Sequence, residues 1–498
     1  MLTEARNKIC FFVNCQQWRM YFSPHVVLPA TLSKQLHNMT YINLVTAAAL
    51  IIILCCFAQS VVSFSFGSVS SFQCRQAQAG QLHKIAPMAN HACNCQDDNT
   101  ERNNNSGPLE NLCLTSLRAC ELMTPLIASI YDELILTSSS STGSDGVQKT
   151  KKDNSAFTIA DGTVQRLLIK CLFSNVAFRD IVGEEDEGEE EDDGIDDNWW
   201  YQVQGLIIPK HVQPLVDSTR IQIESLAKNL LVSNSNESYY SKLTVFIDPI
   251  DGTREFSNGK GEQCSICIGF ADEHGKAIAG VVYRPLSKPS PTWVAGAKRE
   301  GYASHNFEEE EEQSTTGAVL STNGSISPFV ESLIAELDVP RIKAGGAGNK
   351  MMMLLQQSIS VANKEEVSKT HRGHLYIQDR GVSRWDTCAA EACLNAFGGQ
   401  LLKLTDFLED EKDGYYTYLA SQTNLDFIPN TANLTKYNSN LQDLPSPAQK
   451  AQDVCQVKAY SNLCGLVCFG KEFNTQEGRK YLRDAIRKAA AINAPSLD

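Results

Sequence analysis

The chain has 498 residues, of which 42% are apolar, so it is long enough to form more than one globular domain with a large core. Its formal net charge is −14, but eleven carboxylates fall in the run Glu184–Asp197, and the rest of the chain is close to neutral. This balance leaves no basis for binding a nucleic acid polymer or an anionic membrane surface.

The N-terminal region contains an apolar segment, Leu44–Ala58, in which only Thr46 is polar. It is shorter than the ~20 residues that a transmembrane helix needs, but it suits the hydrophobic part of a secretory signal. We therefore expect residues 1–75 to be a leader. Its apolar segment is either a cleaved signal peptide or, if uncleaved, the only membrane anchor.

The expected location follows from that leader. Small residues, Ser60–Ser63, suit cleavage, and Phe64 follows them. A hydrophobic signal of this kind predicts the lumen of the endoplasmic reticulum or Golgi, and it also resembles the signal of plastids that are reached through the endoplasmic reticulum. Met39 is an alternative start that would place the signal at the usual distance from the N-terminus.

After an Asn-rich stretch at residues 76–108, which predicts a linker, helical periodicity begins. Apolar residues recur at helical spacing from Leu109 to Leu134, and Pro125 is expected to kink or split that helix. A second helix is predicted over Val164–Phe173. Asp161 lies at its start, where a carboxylate caps free N–H groups.

An acidic segment follows a short predicted strand, Ile181–Gly183. The strand ends in Glu184 and Glu185, and the acidic run continues beyond them. Runs of like charge are usually disordered and solvated, and that is the ordinary interpretation of this segment.

The most informative stretch begins with the apolar run Leu243–Ile247, which predicts a buried strand. Asp248-Pro249 is expected to stop that strand, because proline has no N–H for a β-ladder. Asp248 and Asp251 lie three positions apart, with the carbonyl of Ile250 between them. Such oxygens are the ligands of a hard cation, Mg²⁺ in particular.

Two further groups in this turn suit a phosphate. Gly252 and Thr253 offer backbone N–H groups beside the proposed cation. The alternative is an ordinary Asp-Pro turn with solvated carboxylates.

Two strands of a hairpin are predicted next, over Ser265–Phe270 and Ala277–Val282. Cys264 and Cys267 have no second cysteine pair nearby, which argues against zinc. We expect half-buried free thiols, with a disulfide as the alternative.

A second subdomain is expected from residue 317, with a strand over Gly317–Thr322 and a helix over Pro328–Leu337. The stretch Arg341–Lys350 predicts a strand and a Gly-Gly-Ala-Gly turn before the helix Met351–Gln357. Such a turn lets a ligand approach the backbone at a helix N-terminus, and tight packing explains it equally well.

The last part of the chain contains a helix with one face of small residues, which Asp386 opens and Gly398 closes. Helix capping is the default role for Asp386. Residues of about 411–456 are polar and predict an insertion. A final strand, Ser461–Phe469, and a basic amphipathic helix, Gly478–Ala491, are expected after it.

Two strings together resemble the signatures of the inositol monophosphatase superfamily of Mg²⁺-dependent, lithium-sensitive phosphomonoesterases. They are Asp248-Pro-Ile-Asp-Gly-Thr253 and Trp385-Asp-Thr-Cys-Ala389. The resemblance implies an α/β fold, a layered αβαβα sandwich with subdomains at residues 109–316 and 317–498 and the site between them. It also implies two or three Mg²⁺ ions, held by Glu184, Asp248, the Ile250 carbonyl, Asp251 and Asp386, with Glu185 a weaker candidate. By the same match, residues 187–197 are expected to be an insertion.

The same resemblance implies a catalytic pair. The hydroxyl of Thr253 would be hydrogen-bonded to Asp161, and the pair would orient the attacking water and accept its proton. No covalent intermediate is expected.

Within the superfamily, Asp-Gly-Thr-Arg-Glu-Phe and Ala-Gly-Gly-Ala-Gly-Asn-Lys are most similar to the 3′(2′),5′-bisphosphate nucleotidases, which convert adenosine 3′,5′-bisphosphate to AMP. The implied substrate contacts are Gly252, Thr253, Ser321, Gly346 and Lys350. This sequence departs from the family at Gly324, where the family has a histidine, and Ser325 is a shorter substitute.

Two alternatives stay open. An inositol phosphate, as in the inositol polyphosphate 1-phosphatase branch, is the alternative substrate. A regulator that binds a phosphate ligand without turnover is the alternative from another class of protein.

Overall fold

The computed structural model describes eleven stretches of the chain, which all belong to the unit Thr100–Asp498. They are residues 107–138, 148–150, 156–185, 197–231, 234–308, 317–362, 373–380, 382–409, 414–419, 461–462 and 465–496. The expected leader, the linker up to residue 106, the acidic insertion up to residue 196 and most of the insertion at 411–456 lie outside the described residues.

The described helices are α1 Pro108–Ser138, α2 Ile159–Arg166, α3 Gln213–Leu231, α4 Asn234–Tyr240, α5 Thr253–Ser257, α6 Pro328–Leu337, α7 Ala347–Ala362, α8 Arg384–Ala396, α9 Leu404–Glu409 and α10 Gln476–Ile492. A π-helical turn, Leu167–Leu172, continues α2, and 3-10 turns occupy Asp197–Tyr201, Gly261–Gln263 and Lys298–Glu300.

The described strands are β1 Gln148–Thr150, β2 Ala156–Thr158, β3 Asp180–Gly183, β4 Gln202–Val203, β5 Leu206–Ile207, β6 Thr244–Asp251, β7 Ser265–Ala271, β8 Ala277–Arg284, β9 Thr292–Ala297, β10 Tyr302–His305, β11 Val319–Ser321, β12 Arg341–Lys343, β13 Leu375–Gln378, β14 Val382–Ser383, β15 Gln400–Lys403, β16 Ser461–Asn462 and β17 Leu466–Phe469.

Two larger sheets organise these elements. The first has six strands in the order β10-β9-β8-β7-β6-β3, antiparallel except for the parallel pair β3 and β6. The second has five strands in the order β12-β11-β13-β17-β15, with β11 parallel to both of its neighbours and the remaining pairs antiparallel.

The layers follow from the two-residue alternation of strand side chains. On β6, Val245 and Ile247 join the core that holds α1 and α3, whereas Phe246 joins the core between the sheets with Ala389 of α8. On β13, Tyr376 lies in that same middle core. Its neighbours on the strand face an outer core with α6 and α10. The order is therefore helix, sheet, helix, sheet, helix, and the expected αβαβα sandwich is confirmed.

The first sheet has a groove in which α8 lies. Gly269, Gly280 and Gly296 are cross-strand neighbours on β7, β8 and β9. A Cβ on Gly269 or Gly280 would come within 2.5 Å of the backbone of Ala389, so only glycine allows this approach. The small-residue face that the sequence predicted for α8 is the face that fills this groove, and the packing holds the first turn of α8 against the end of β6.

The first helix is a core helix of this unit. It is the one described helix long and apolar enough to cross a membrane, and 56% of its most apolar window is buried inside the fold. Pro125 lies within it without splitting it, contrary to one of the two outcomes expected from the sequence. The helix α2 begins at Ile159, earlier than predicted, because Thr158 and Asp161 form a capping box.

The prediction that Asp248-Pro249 stops the central strand is wrong. Strand β6 continues to Asp251, with an irregularity in its pairing with β7 between Asp248 and Asp251. Pro249 falls in that irregularity, where no ladder N–H is required. Helix α7 begins at Ala347, four residues before the predicted start, so the last part of the glycine turn is its first turn.

Two other predictions need correction. Cys264 and Cys267 are free, as expected, but both are fully buried rather than half-buried, because helices cover both faces of the first sheet. The predicted final strand, Ser461–Phe469, is divided into β16 and β17, which belong to different sheets.

Candidate functional site

The carboxylates of Asp248, Asp251 and Asp386 converge. Each offers an oxygen within 4.8 Å of the others, in a cluster able to hold a metal ion. Two of the three come from the irregular end of β6, and the third from the first turn of α8. The bulge matters because an unbroken strand would send alternate side chains to opposite faces of the sheet, whereas residues 248 and 251 must reach one point.

Asp251 is held by three donors. Its Oδ1 accepts from Ala347 N at 2.8 Å, and its Oδ2 accepts from Gly348 N at 2.7 Å and from Ser265 Oγ at 2.9 Å. The first N–H groups of α7 therefore point at this carboxylate, where the positive end of the helix dipole stabilises its charge. A Cβ on Gly346 would lie 2.7 Å from the same Oδ2, so the turn is tightly packed against Asp251.

Asp386 and Asp161 each close a capping box. Ser383 N donates to Asp386 Oδ2 at 2.8 Å. Thr158 donates to Asp161 Oδ2 from its backbone N at 2.8 Å and from its hydroxyl at 2.5 Å. Helix capping and membership of the site are therefore compatible for both residues, because one oxygen of each carboxylate is used for the cap.

The second oxygen of Asp161 meets Thr253. The Thr253 hydroxyl lies 2.9 Å from Asp161 Oδ1 and 3.1 Å from the carbonyl oxygen of Ile250, and donates toward both. This is the pair that the sequence resemblance implied, and both side chains are buried. The carbonyl of Ile250 is thus directed at the Thr253 hydroxyl.

Glu184 directly follows β3 and reaches the same region. Its backbone N donates to the carbonyl of Ile247 at 3.0 Å, which continues the parallel pairing with β6. Its charge acts on Asp161, Asp248 and Asp386. Glu185, the weaker candidate, is buried, and its backbone exchanges two hydrogen bonds with the side chain of Gln165.

Burial and like charge disfavour ionised carboxylates here. Burial, then Glu184, raises the pKa of Asp161 to about 7, and burial, then Asp251, raises the pKa of Asp386 to about 7. Burial followed by three neighbouring carboxylates raises the pKa of Asp248 well above its usual range. A divalent cation would relieve this repulsion, and an all-oxygen ligand set fits Mg²⁺. The residues present therefore fit the metal that the sequence implied.

The residues predicted to contact the substrate lie around this cluster. Gly252 is the N-cap of α5 and adopts φ +91°. A Cβ at this position would lie 3.4 Å from the backbone N of Gly346. The hydroxyl of Ser321, at the end of β11, accepts from Arg341 Nε at 2.6 Å. Lys350 is 6% exposed, and its ammonium lies 4.9 Å from the centroid of the Tyr376 ring.

Lys350 also acts on the carboxylates. Burial lowers the pKa of Lys350, while the charge of Asp251 opposes that shift. Burial raises the pKa of Asp251, and the charge of Lys350 is the largest of the effects that oppose this rise. Its position makes it a countercharge for the acidic cluster as well as a candidate substrate contact.

Several residues of the site were missed by sequence reasoning. Thr158 and Ser383 both stand three residues before an aspartate, a spacing typical of a capping box that was available in the sequence. Ser265 and Gln263 gave no such signal, because their partners, Asp251 and Gly345, are brought to them only by the tertiary fold.

Comparison with known proteins identifies a family to which most of the chain is similar. The model of the inositol monophosphatase family matches residues 126–425. The 3'(2'),5'-bisphosphate nucleotidase 1 of Mus musculus is 28% identical over 268 residues, which cover 52% of this chain and 74% of that protein. The Golgi-resident adenosine 3',5'-bisphosphate 3'-phosphatase of Homo sapiens is 28% identical over 35% of this chain and 45% of that protein. The crystal structure of the extragenic suppressor protein suhB from Bartonella henselae aligns with a TM-score of 0.39 at 12% identity, over 76% of this chain and 98% of that one.

Proposed function

The chain belongs to the inositol monophosphatase family and is a phosphatase, and from this premise we propose that it is a Mg²⁺-dependent 3′(2′),5′-bisphosphate nucleotidase. Its proposed substrate is adenosine 3′,5′-bisphosphate, which would be hydrolysed to AMP and phosphate. The observation that carries the proposal is the convergence of Asp248, Asp251 and Asp386 within 4.8 Å of one another.

In the proposed chemistry, bound metal supplies positive charge, and the protein's side chains position the water and accept its proton. Bound Mg²⁺ would supply positive charge to the phosphoryl oxygens and lower the pKa of a water. The proposed ligands are Glu184, Asp248, the Ile250 carbonyl, Asp251 and Asp386. The number of ions proposed is two or three.

The protein's own residues would do the rest. Thr253 and Asp161 are hydrogen-bonded at 2.9 Å and would orient the attacking water. The buried carboxylate of Asp161 accepts from the Thr253 hydroxyl, so it is placed to take the proton of a water that this hydroxyl orients. No covalent intermediate is part of this proposal, since water itself is the nucleophile.

The choice of nucleotide rests on similarity. Two relatives whose names specify a bisphosphate nucleotidase or an adenosine bisphosphate phosphatase share 28% identity with the chain. Ser321, Gly346 and Lys350 are the proposed nucleotide contacts, together with Gly252 and Thr253. The departure at Gly324, an exposed glycine where the family has a histidine, keeps an inositol phosphate as the second candidate.

One assay separates the three functions. Full-length protein is incubated with Mg²⁺ and either adenosine 3′,5′-bisphosphate or inositol 1,4-bisphosphate, with and without lithium, and phosphate release is measured. We expect faster release from the nucleotide, and inhibition by lithium. Faster release from the inositol compound would support the second candidate. Binding of either compound without release would support the regulator that lacks turnover.

We also propose that the chain enters the secretory pathway, on the basis of the apolar segment Leu44–Ala58. The proposed compartments are the lumen of the endoplasmic reticulum or Golgi, or a plastid reached through it. Expression of the full chain with a C-terminal tag, followed by fractionation and protease protection, tests this. A tag found in the cytosol would contradict it.

A further inference from the structure

Four polar groups next to the site form one hydrogen-bonded node. Asn323 Nδ2 donates to Gln263 Oε1 at 2.7 Å and to Glu255 Oε1 at 3.0 Å. Gly345 N donates to the same Gln263 Oε1 at 2.8 Å. The side chain of Glu255 packs against Gly345 so closely that a Cβ there would overlap it. We call Glu255, Gln263, Asn323 and Gly345 the amide node.

The amide node joins segments from both halves of the chain. Glu255 lies on α5 and Gln263 on a 3-10 turn, both beside the first sheet. Asn323 follows β11, and Gly345 follows β12, which are neighbours in the second sheet. The node therefore ties the two sheets together at the edge of the candidate site.

The segments that it holds are those proposed to contact the substrate. Asn323 lies two residues after Ser321, and Gly345 immediately precedes Gly346. Arg341 fixes the other side of the same loop, because its guanidinium donates to Ser321 Oγ and to the carbonyl oxygens of Thr322 and Gly324. The carboxylate cluster has supports outside the node, in the capping boxes, in Ser265 and in the first N–H groups of α7.

We propose that Asn323 and Gln263 are positioning residues for the part of the substrate that lies beyond the scissile phosphate. The inference rests on the proposed function and goes further, because it assigns the discrimination between a bisphosphorylated nucleotide and a minimal phosphate ester to this node. Because the node joins the two loops, it would determine how the organic part of the substrate is held. The carboxylates that would bind the metal determine the chemistry at the phosphate.

The test compares KM and kcat for two substrates, adenosine 3′,5′-bisphosphate and phenyl phosphate. Asn323→Asp replaces the shared donor by a carboxylate that faces Glu255 and Gln263 Oε1, so both bonds are lost. We expect the KM for adenosine 3′,5′-bisphosphate to rise about tenfold, the effect of losing one to two net hydrogen bonds, with little change in kcat. The KM and kcat for phenyl phosphate should stay within about twofold of the wild type, because this ester has neither the nucleoside nor the second phosphate that the node is proposed to position.

A compensating change provides the internal check. In the double variant Asn323→Asp with Glu255→Gln, the new glutamine can donate to the new carboxylate, and we expect part of the KM increase to disappear. Gln263→Met, which is similar in size, should reproduce the KM increase without adding charge. The matched control is Asn474→Asp, because Asn474 Nδ2 also donates across the fold, to Gly398 O at 2.7 Å, but in the loop before α10.

The outcomes separate this inference from the proposed function. Suppose that the wild type cleaves the nucleotide, but the variants lose activity equally on both substrates or on neither. This result overturns the positioning role and leaves the proposed function intact. If Asn323→Asp fails to fold, as judged by thermal unfolding, Gln263→Met decides. A wild type that neither cleaves nor binds the nucleotide overturns both proposals.

Discussion

At the scale of single residues, hydrogen bonds from neighbouring groups hold the carboxylates of the candidate site. Asp161 and Asp386 give one oxygen to a capping box, which fixes the carboxylate at the start of a rigid helix. Asp251 is fixed by two backbone N–H groups and a serine hydroxyl. Carboxylates held in this way lose little freedom when they bind a ligand, so the site is organised before any cation or substrate arrives.

The hydroxyl of Thr253 gives a prediction at this scale. Thr253→Val removes the donor that links Asp161 Oδ1 to the Ile250 carbonyl, so we expect kcat to fall about 100-fold, the lower end of a general-base effect. Thr253→Ser keeps the hydroxyl and should retain activity within about tenfold of the wild type. Steady-state phosphate release measures both variants. Wild-type turnover by the valine variant would remove Thr253 from the mechanism.

At the scale of elements, α8 is the support on which the site depends. It lies in the glycine groove of the first sheet, and the stretch 414–419 crosses it. Tyr418 Oη donates to Glu391 Oε2 at 2.5 Å, and Tyr418 N donates to the carbonyl of Gly275 in the hairpin of the first sheet. Arg384, fully buried in the first turn of α8, donates to the carbonyl of Leu419. These contacts fix the helix at both its start and its middle.

Glu391 gives a pH prediction for this element. It is 4% exposed, and burial raises its pKa to about 8, although the bond from Tyr418 opposes the shift. The folded protein therefore binds this proton more tightly than the unfolded chain does. Its contribution to stability is complete below the unfolded pKa of about 4.3 and is lost as the pH rises through about 8.

The variant Glu391→Gln keeps an acceptor for Tyr418 but cannot ionise. We expect the stability of the wild type, relative to the variant, to fall by about 1 kcal/mol between pH 7 and pH 9. Urea unfolding of both proteins across this range measures the difference. Parallel curves would show that Glu391 does not titrate in the folded state there.

At the scale of the whole molecule, the candidate cation site joins layers. Asp248 and Asp251 belong to the first sheet, and Asp386 belongs to the helix layer between the sheets. Glu184 directly follows β3, the strand next to β6. A cation bound by all four would link elements that are distant in sequence. Ligands that bind only the folded state stabilise it by mass action.

A metal-removal experiment tests this. Mg²⁺ at about 100 times its Kd should stabilise the folded unit by about 2.7 kcal/mol relative to EDTA, and raise the melting temperature. Asp248→Asn should abolish that increase together with at least about 99% of the turnover. Its melting temperature in EDTA should not be lower than that of the wild type, because burial already favours an uncharged side chain at this position.

The control for that experiment is Asp484→Asn, on the exposed face of α10, where the carboxylate pairs with Lys480 at 2.8 Å. It should keep both the Mg²⁺ response and the turnover. A Mg²⁺-dependent increase that survives in Asp248→Asn would contradict the proposed metal site.

The sequence by itself determined the type of chemistry and the class of fold. Short apolar runs predicted β6 and the hairpin of β7 and β8, and small-residue spacing predicted the buried face of α8, because these signals are local to one element. The strings around Asp248 and Asp386 carried the family resemblance for the same reason: each lies within a few residues of chain.

Only the tertiary structure decided how these pieces meet. The bulge that carries β6 past Pro249, the donors that Ser265 and α7 offer to Asp251, and the amide node all depend on contacts between residues far apart in sequence. No spacing rule encodes such contacts, since they arise when the burial of three separate cores brings the two sheets and α8 together.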